Sequence, residues 1–160
     1  MRSMRVLVCV LSLCAMSAIV MAGDAPDYRA NLSATTVPMT VNTQAHGEVR
    51  FWTSENRQSV RYRLSVAKME NITMAHLQLG KADTTGPIVV WLYPERPPPQ
   101  VVRGMFTGVL AEGSIEAGEL LGPLQGRLLG DLIAEMKAGN TYVNVHSNRY
   151  PEGEIRGQVE

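Results

Sequence analysis

The stretch SVRYRLSV, residues 59–66, constrains the fold of this chain more than any other. Val60, Tyr62, Leu64 and Val66 alternate with Arg61, Arg63 and Ser65, and side chains two positions apart share a face only in an extended strand. A helix would scatter those four apolar groups around its axis. The same period returns in YRANLSA (28–34), where Tyr28, Ala30 and Leu32 align, and in GEVRFWT (47–53), where Val49 and Phe51 do. TMAHLQL (73–79) sets Ala75, Leu77 and Leu79 against His76 and Gln78, and MFTGVLAEGSI (105–115) reads as another strand. PIVVWLY (87–93) is apolar on both faces, as a central strand would be. The polar TSENRQ predicts a hairpin across 47–66, and PERPPPQ (94–100) must be an exposed loop because its prolines lack the donors of a ladder.

Helical period occurs once. In RLLGDLIAEMKAGN, residues 127–140, Leu129, Leu132, Ile133 and Met136 fall on one face; Lys137 suits the C-terminal dipole and Gly139 a left-handed cap. Two strands then close the chain through TYVNVHSNRYPEGEIRGQVE, residues 141–160, with Pro151 and Gly153 in the turn between them. Gly153 and Gly157 are expected to serve a tight turn and a close backbone approach. About eight short strands with turn signals between them define an all-β antiparallel sandwich or barrel. We expect the sandwich, Greek-key and superoxide-dismutase-like or immunoglobulin-like, with one short α-helix before the last two strands.

The N-terminus is read apart from this domain. Arg2 and Arg5 precede the apolar run from Val6 to Ala22, and Val20 and Ala22 are the small residues a signal peptidase requires, so residues 1–22 are expected to be a cleaved signal peptide. Residues 23–27 then form a short linker and 28–160 the folded domain. Leu13 is too bulky for Cys14 to be a lipoprotein anchor. Cleavage removes both cysteines, Cys9 and Cys14, which excludes disulfides, thiol nucleophiles and cysteine-ligated zinc from the domain. It also removes two of the 15 basic residues against 15 acidic ones. The resulting mild acidity argues against nucleic acid, which selects a basic face. No membrane span is expected after cleavage, and the location is secreted or periplasmic.

Four segments carry a resemblance: LSATTVPMTVNTQAHGEVRF, AHLQLGKADTTGPIVVWLY, GELLGPLQGRLLGDLIAEMKAGNTYVNVHS and PEGEIRGQV. In this order they resemble the CHRD domain, the module named after chordin, over about Tyr28 to Val159. The last third is the most specific part. The resemblance implies an extracellular compartment and a module whose biochemical role is mostly unassigned, which points to a non-catalytic binding or interaction function.

Three histidines are present: His46, His76 and His146. His76 and His146 both lie on the polar side of their strands. Members of the family that this chain resembles commonly carry H-I-H where it has His76-Leu77-Gln78. Two histidines at i and i+2 converge on one ion, and a similar pattern holds copper in copper/zinc superoxide dismutases. The alternative function is therefore a copper- or zinc-binding protein, superoxide-dismutase-like, with His76, His146 and Gln78 as the metal residues. Gln78 weakens this set, because an amide oxygen is a poor ligand for either metal. The plainer expectation is that the histidines hydrogen-bond across the sheet to each other, to Gln78 or to Glu154.

No catalytic residues are assigned. Ser147 follows His146 and faces the opposite way, and the chain has no G-x-S-x-G, H-E-x-x-H or phosphate-loop motif. For partner binding, Trp91 and Tyr93 flank the proline-rich loop, and Arg61 and Arg63 share a face with Arg50, among Glu48 and Glu55. The partner would be an extracellular or periplasmic protein or ligand. Asn31-Leu32-Ser33 and Asn71-Ile72-Thr73 fit the glycosylation pattern, which matters only in a eukaryotic source.

Overall fold

The computed structural model describes residues 25–160; the signal segment expected at 1–22 lies outside the described residues. The strands are β1 (Tyr28–Ser33), β2 (His46–Thr53), β3 (Val60–Leu79), β4 (Ile88–Tyr93), β5 (Val102–Ile115), β6 (Thr141–Ser147) and β7 (Ile155–Gln158). Among the described residues a single α-helix, α1 (Leu129–Lys137), precedes β6.

Every ladder among the described residues is antiparallel, and these seven strands belong to one sheet. The mainly antiparallel β expectation is therefore met. In place of two facing sheets, however, the hydrogen bonds run β3–β2–β1–β7–β6 and return to β3, so the sheet closes on itself. β4 and β5 add to β3 outside that ring. A side-chain period of two is common to sandwiches and barrels, so alternation alone does not distinguish them.

β3 makes the closure possible. Its first half pairs with β2 (Val49↔Leu64) and its second half with β6 (Leu77↔Val143). Two strands expected at 59–66 and 73–79 are thus one strand of 20 residues. The inward residues are Val60, Tyr62, Leu64 and Val66, then Met69, Ile72, Ala75 and Leu77. The steps of three at 66–69, 69–72 and 72–75 hide the continuity. Register shifts fall between Val66 and Met69 and between Glu70 and Ile72, where Lys68 and Asn71 take φ of 54° and 50°. Such bulges bend a strand and reverse its side-chain alternation, as ring closure requires.

The inward side chains form one cluster that includes Val49, Phe51, Leu64, Leu77, Val143 and Ile155, and α1 joins it through Leu129, Leu132, Ile133 and Met136. Each such aliphatic side chain contributes roughly 1.5–3 kcal/mol when fully buried. The helix stops as the sequence indicates. Gly139 (φ 61°) donates to the Met136 carbonyl at 3.0 Å and Asn140 to that of Glu135 at 2.9 Å, a Schellman pair that turns the chain into β6.

Candidate functional site

β6 buries all seven of its residues. Val143 and Val145 enter the apolar cluster, while Tyr142, Asn144 and His146 occupy the opposite face and are covered as well. Across the ladder, Gln78 faces Tyr142, His76 faces Asn144, and Asn144 faces Arg156 of β7. On the other side of β3, Trp91 of β4 lies opposite His76. One polar layer therefore spans four strands.

Two loops roof this layer. The loop 80–87 receives Gln78 Nε2 at the Gly86 carbonyl (2.7 Å), and its Gly86 N–H donates to the Tyr142 hydroxyl (2.9 Å). The turn 148–154 receives Asn144 Nδ2 at the Glu152 carbonyl (3.2 Å). Arg156 ties both loops together, donating from Nη1 to Thr84 O (2.7 Å) and from Nη2 to Glu152 O (2.8 Å). Its guanidinium also lies 5.5 Å above the Tyr142 ring. Gly153 (φ 124°) lies flat against the Asn144 amide, where a Cβ would collide.

His76 and Gln78 share the face opposite the apolar one, and that face is covered: they are 1% and 7% exposed, and His146 is 6% exposed. The sequence alternation identified the face correctly, but covering is supplied by loops distant in sequence.

His146 Nδ1 lies 2.8 Å from the Pro151 carbonyl and His76 Nδ1 lies 3.2 Å from His146 Nε2. A carbonyl only accepts, so the neutral His146 carries its proton on Nδ1 and leaves Nε2 bare. His76 must then donate from Nδ1, which leaves its own Nε2 without a proton. That nitrogen is buried and has no partner among the described residues, and the same holds for Gln78 Oε1, Asn144 Oδ1 and Arg156 Nε. Burial, with help from His146, lowers the His76 pKa to about 3. Burial lowers that of His146 too, against the Pro151 hydrogen bond. Both rings are neutral at ordinary pH. The His76 and Trp91 rings meet edge to face, 4.3 Å between centroids.

Of the other singled-out residues, Trp91 borders this layer through His76, and the arginines lie apart from it. Arg61 stacks over Trp52 at 5.4 Å; Arg63 is 3.7 Å from Glu112; Arg50 forms a two-point pair with Glu48 at 2.9 Å. Arg50 lies directly opposite Arg63, so the three arginines do share a face, laced with Glu48 and Glu112. Trp91 and Tyr93 are half-buried at the end of β4, and Glu95–Gln100 beyond them are exposed. A groove of ≈ 500 Å³ opens there, its wall including Trp91, Tyr93 and Tyr62. Glu154 accepts from Thr43 Oγ1 (2.6 Å). Asn71 Oδ1 accepts from the Gly104 N–H (2.9 Å) at the bulge, while Asn31 is exposed on β1.

Sequence reading missed Asn144, Tyr142 and Arg156. An arginine among the apolar residues of a terminal strand was the available signal. Its partners are backbone carbonyls, which leave no trace in side-chain identities.

The CHRD domain family model matches residues 28–159, the barrel from its first strand to its last. The chain belongs to the CHRD domain family. No match was found among curated proteins or among solved structures. The family resemblance noted in the sequence therefore stands over the full domain, and the polar layer of this CHRD domain is built chiefly on β3 and β6. Among its described residues, no group of three or more His, Cys, Asp or Glu is placed to hold a metal, and no helix is long and apolar enough to cross a membrane.

Proposed function

We propose that this CHRD domain is an exported, non-catalytic binding module whose contact face is formed by Trp91, Tyr93 and the exposed loop that follows them. The observation that carries the proposal is the pair of half-buried aromatic rings at the mouth of the ≈ 500 Å³ groove. Aromatic anchors beside a concavity supply most of the energy of a protein contact, and loops on a rigid sheet commonly present it. The arginine face of Arg61 and Arg63 is the weaker surface, because Arg61 is already stacked over Trp52 and Arg63 already faces Glu112. Export follows from residues 1–22. Determining the N-terminus and compartment of the expressed protein tests it: a chain beginning at Gly23 outside the cytoplasm is expected, and an uncleaved cytoplasmic chain refutes export. Turnover of any substrate that disappears in His76→Ala or His146→Ala would refute the non-catalytic reading.

A second reading assigns copper or zinc to His76 and His146, and one distance favours it. Two metal–nitrogen bonds of about 2.0–2.1 Å opening at roughly 100° place their nitrogens about 3.2 Å apart, the spacing of His76 Nδ1 and His146 Nε2. The Pro151 carbonyl orients His146 as a carbonyl orients metal-bound histidines. Gln78 is the third candidate and brings only an amide oxygen, so the set fits a weak, incomplete site. Dialysis of the untagged domain against copper or zinc decides the matter. Stoichiometric metal with a raised Tm, lost in His146→Gln, is expected on this reading; metal below a tenth of stoichiometry excludes it.

A further inference from the structure

The groove beside Trp91 and Tyr93 carries charge of one sign. Besides its tyrosines, the ionisable side chains of its lining are Glu95, Glu112 and Glu119, with no lysine or arginine among the described residues. Their field reaches the wall: the Tyr62 hydroxyl, which donates to the Leu92 carbonyl at 2.9 Å, has its pKa pushed up to about 12, by burial first and then by Glu119 and Glu95. The contrast with the groove of ≈ 480 Å³ elsewhere is plain, since that one mixes Lys68 and Arg149 with Glu70 and Glu154. Two arginines lie near the acidic groove. Arg63 approaches Glu112 and Arg96 approaches Glu95, each only to 3.7 Å and from largely exposed positions. Arg96 lines an adjoining recess of ≈ 270 Å³ that shares Trp91, Glu95 and Glu119. Such exposed pairs are weak and are readily exchanged for a better-held cation.

We infer that this groove receives a lysine or arginine side chain from an exposed segment of a partner protein. The inference rests on the reading of Trp91 and Tyr93 as the contact face and gives that face a chemical preference. A guanidinium or ammonium group gains from both halves of the site, the aromatic faces through cation–π contact and the carboxylates through charge-assisted hydrogen bonds. Glu95, Glu112 and Glu119 do not converge as a metal-ligand group, which favours a side-chain cation over a metal ion. A neutral or acidic peptide would forfeit one half of the site or be repelled by it.

Calorimetric titration of the whole domain with a short Arg- and Lys-containing peptide tests this, with length-matched neutral and Glu-containing peptides beside it. Saturable binding of the cationic peptide alone is expected. It should weaken about tenfold in the triple variant Glu95→Gln, Glu112→Gln, Glu119→Gln and fall with added salt. The Glu119→Gln change keeps an acceptor oxygen for the Glu116 N–H, which the carboxylate now receives at 2.8 Å, so the turn should survive. Glu55→Gln, in the exposed hairpin turn, should leave the affinity unchanged. No saturable binding, or binding indifferent to the triple variant, overturns the inference. Should a neutral or acidic peptide bind instead and depend on Tyr93, the contact face stands and the cationic preference falls. Should the cationic peptide need the carboxylates but tolerate Tyr93→Ala, the preference stands and the aromatic contact face falls.

Discussion

The two halves of β3 carry the same sequence signal and meet opposite fates. In the first half Arg61 and Arg63 alternate with apolar residues and are exposed; in the second half His76 and Gln78 alternate likewise and are buried. Both strand segments turn their apolar residues into one cluster. The difference comes from what lies over the outer face. Over Arg61 and Arg63 there is solvent and a few opposing carboxylates. Over His76 and Gln78 there are two loops, whose carbonyls accept from Gln78 directly and from His146, the partner of His76. Alternation assigns a side chain to a face, and only long-range contacts decide whether that face is wet.

The covered face should therefore answer to substitution in a way the open face does not. The largest effect is expected at Arg156, whose guanidinium joins both roofing loops. Arg156→Met removes two charge-assisted hydrogen bonds, leaving the Thr84 carbonyl without its donor and the Glu152 carbonyl with Asn144 alone, and should cost about 3 kcal/mol in denaturant unfolding. A loss below about 1 kcal/mol would mean that the loops hold themselves and the layer is no unit.

Acid should be the next most effective probe. The folded protein keeps His76 neutral down to about pH 3, whereas the unfolded chain takes up a proton near its ordinary value of about 6.5. Between those values the unfolded state binds more protons, so stability falls as pH falls. At pH 5 this amounts to about 2 kcal/mol, with His146 shifting in the same direction. Urea unfolding of the domain and of His76→Phe at about pH 7.5 and about pH 5 measures it; an equal acid loss in both would remove His76 from the account.

A smaller change is expected for Gln78→Leu. It deletes the bond to Gly86 but also removes the partnerless Oε1, and the two should offset each other to within about 1 kcal/mol. A much larger loss would show that Gln78 is integral to the roof. The open face sets the lower bound. Arg61→Ala and Arg63→Ala should each shift stability by no more than about 0.5 kcal/mol, and a greater effect at either would erase the distinction between the halves.

The positions of β1, β2 and the helix were legible because each segment carries an unbroken period bounded by turn residues. β4 was legible as an apolar run before prolines, but it pairs with β3 alone and is an edge strand, not the central one expected. β3 was not legible as one strand. The steps at Lys68 and Asn71 interrupt its alternation, and a bulge looks like a loop when no partner strand is in view. The site was legible in part. His76 and His146 drew notice as polar residues in good strands, and Trp91 and Tyr93 as aromatics before prolines. Arg156 and Asn144 escaped because their partners are main-chain carbonyls at Thr84 and Glu152, groups that every residue possesses.

The amino-acid order is enough to establish the β class, the lone helical period with its apolar face and glycine cap, and the resemblance to the CHRD family. These depend on local period and motif, which the chain carries within a dozen or so residues. Folding in three dimensions was needed to close the sheet through a bent β3, to bring a histidine pair under two loops, and to gather three glutamates in one groove. Each of those depends on residues far apart in sequence being brought together, and the energy of such contacts appears only when the chain is folded.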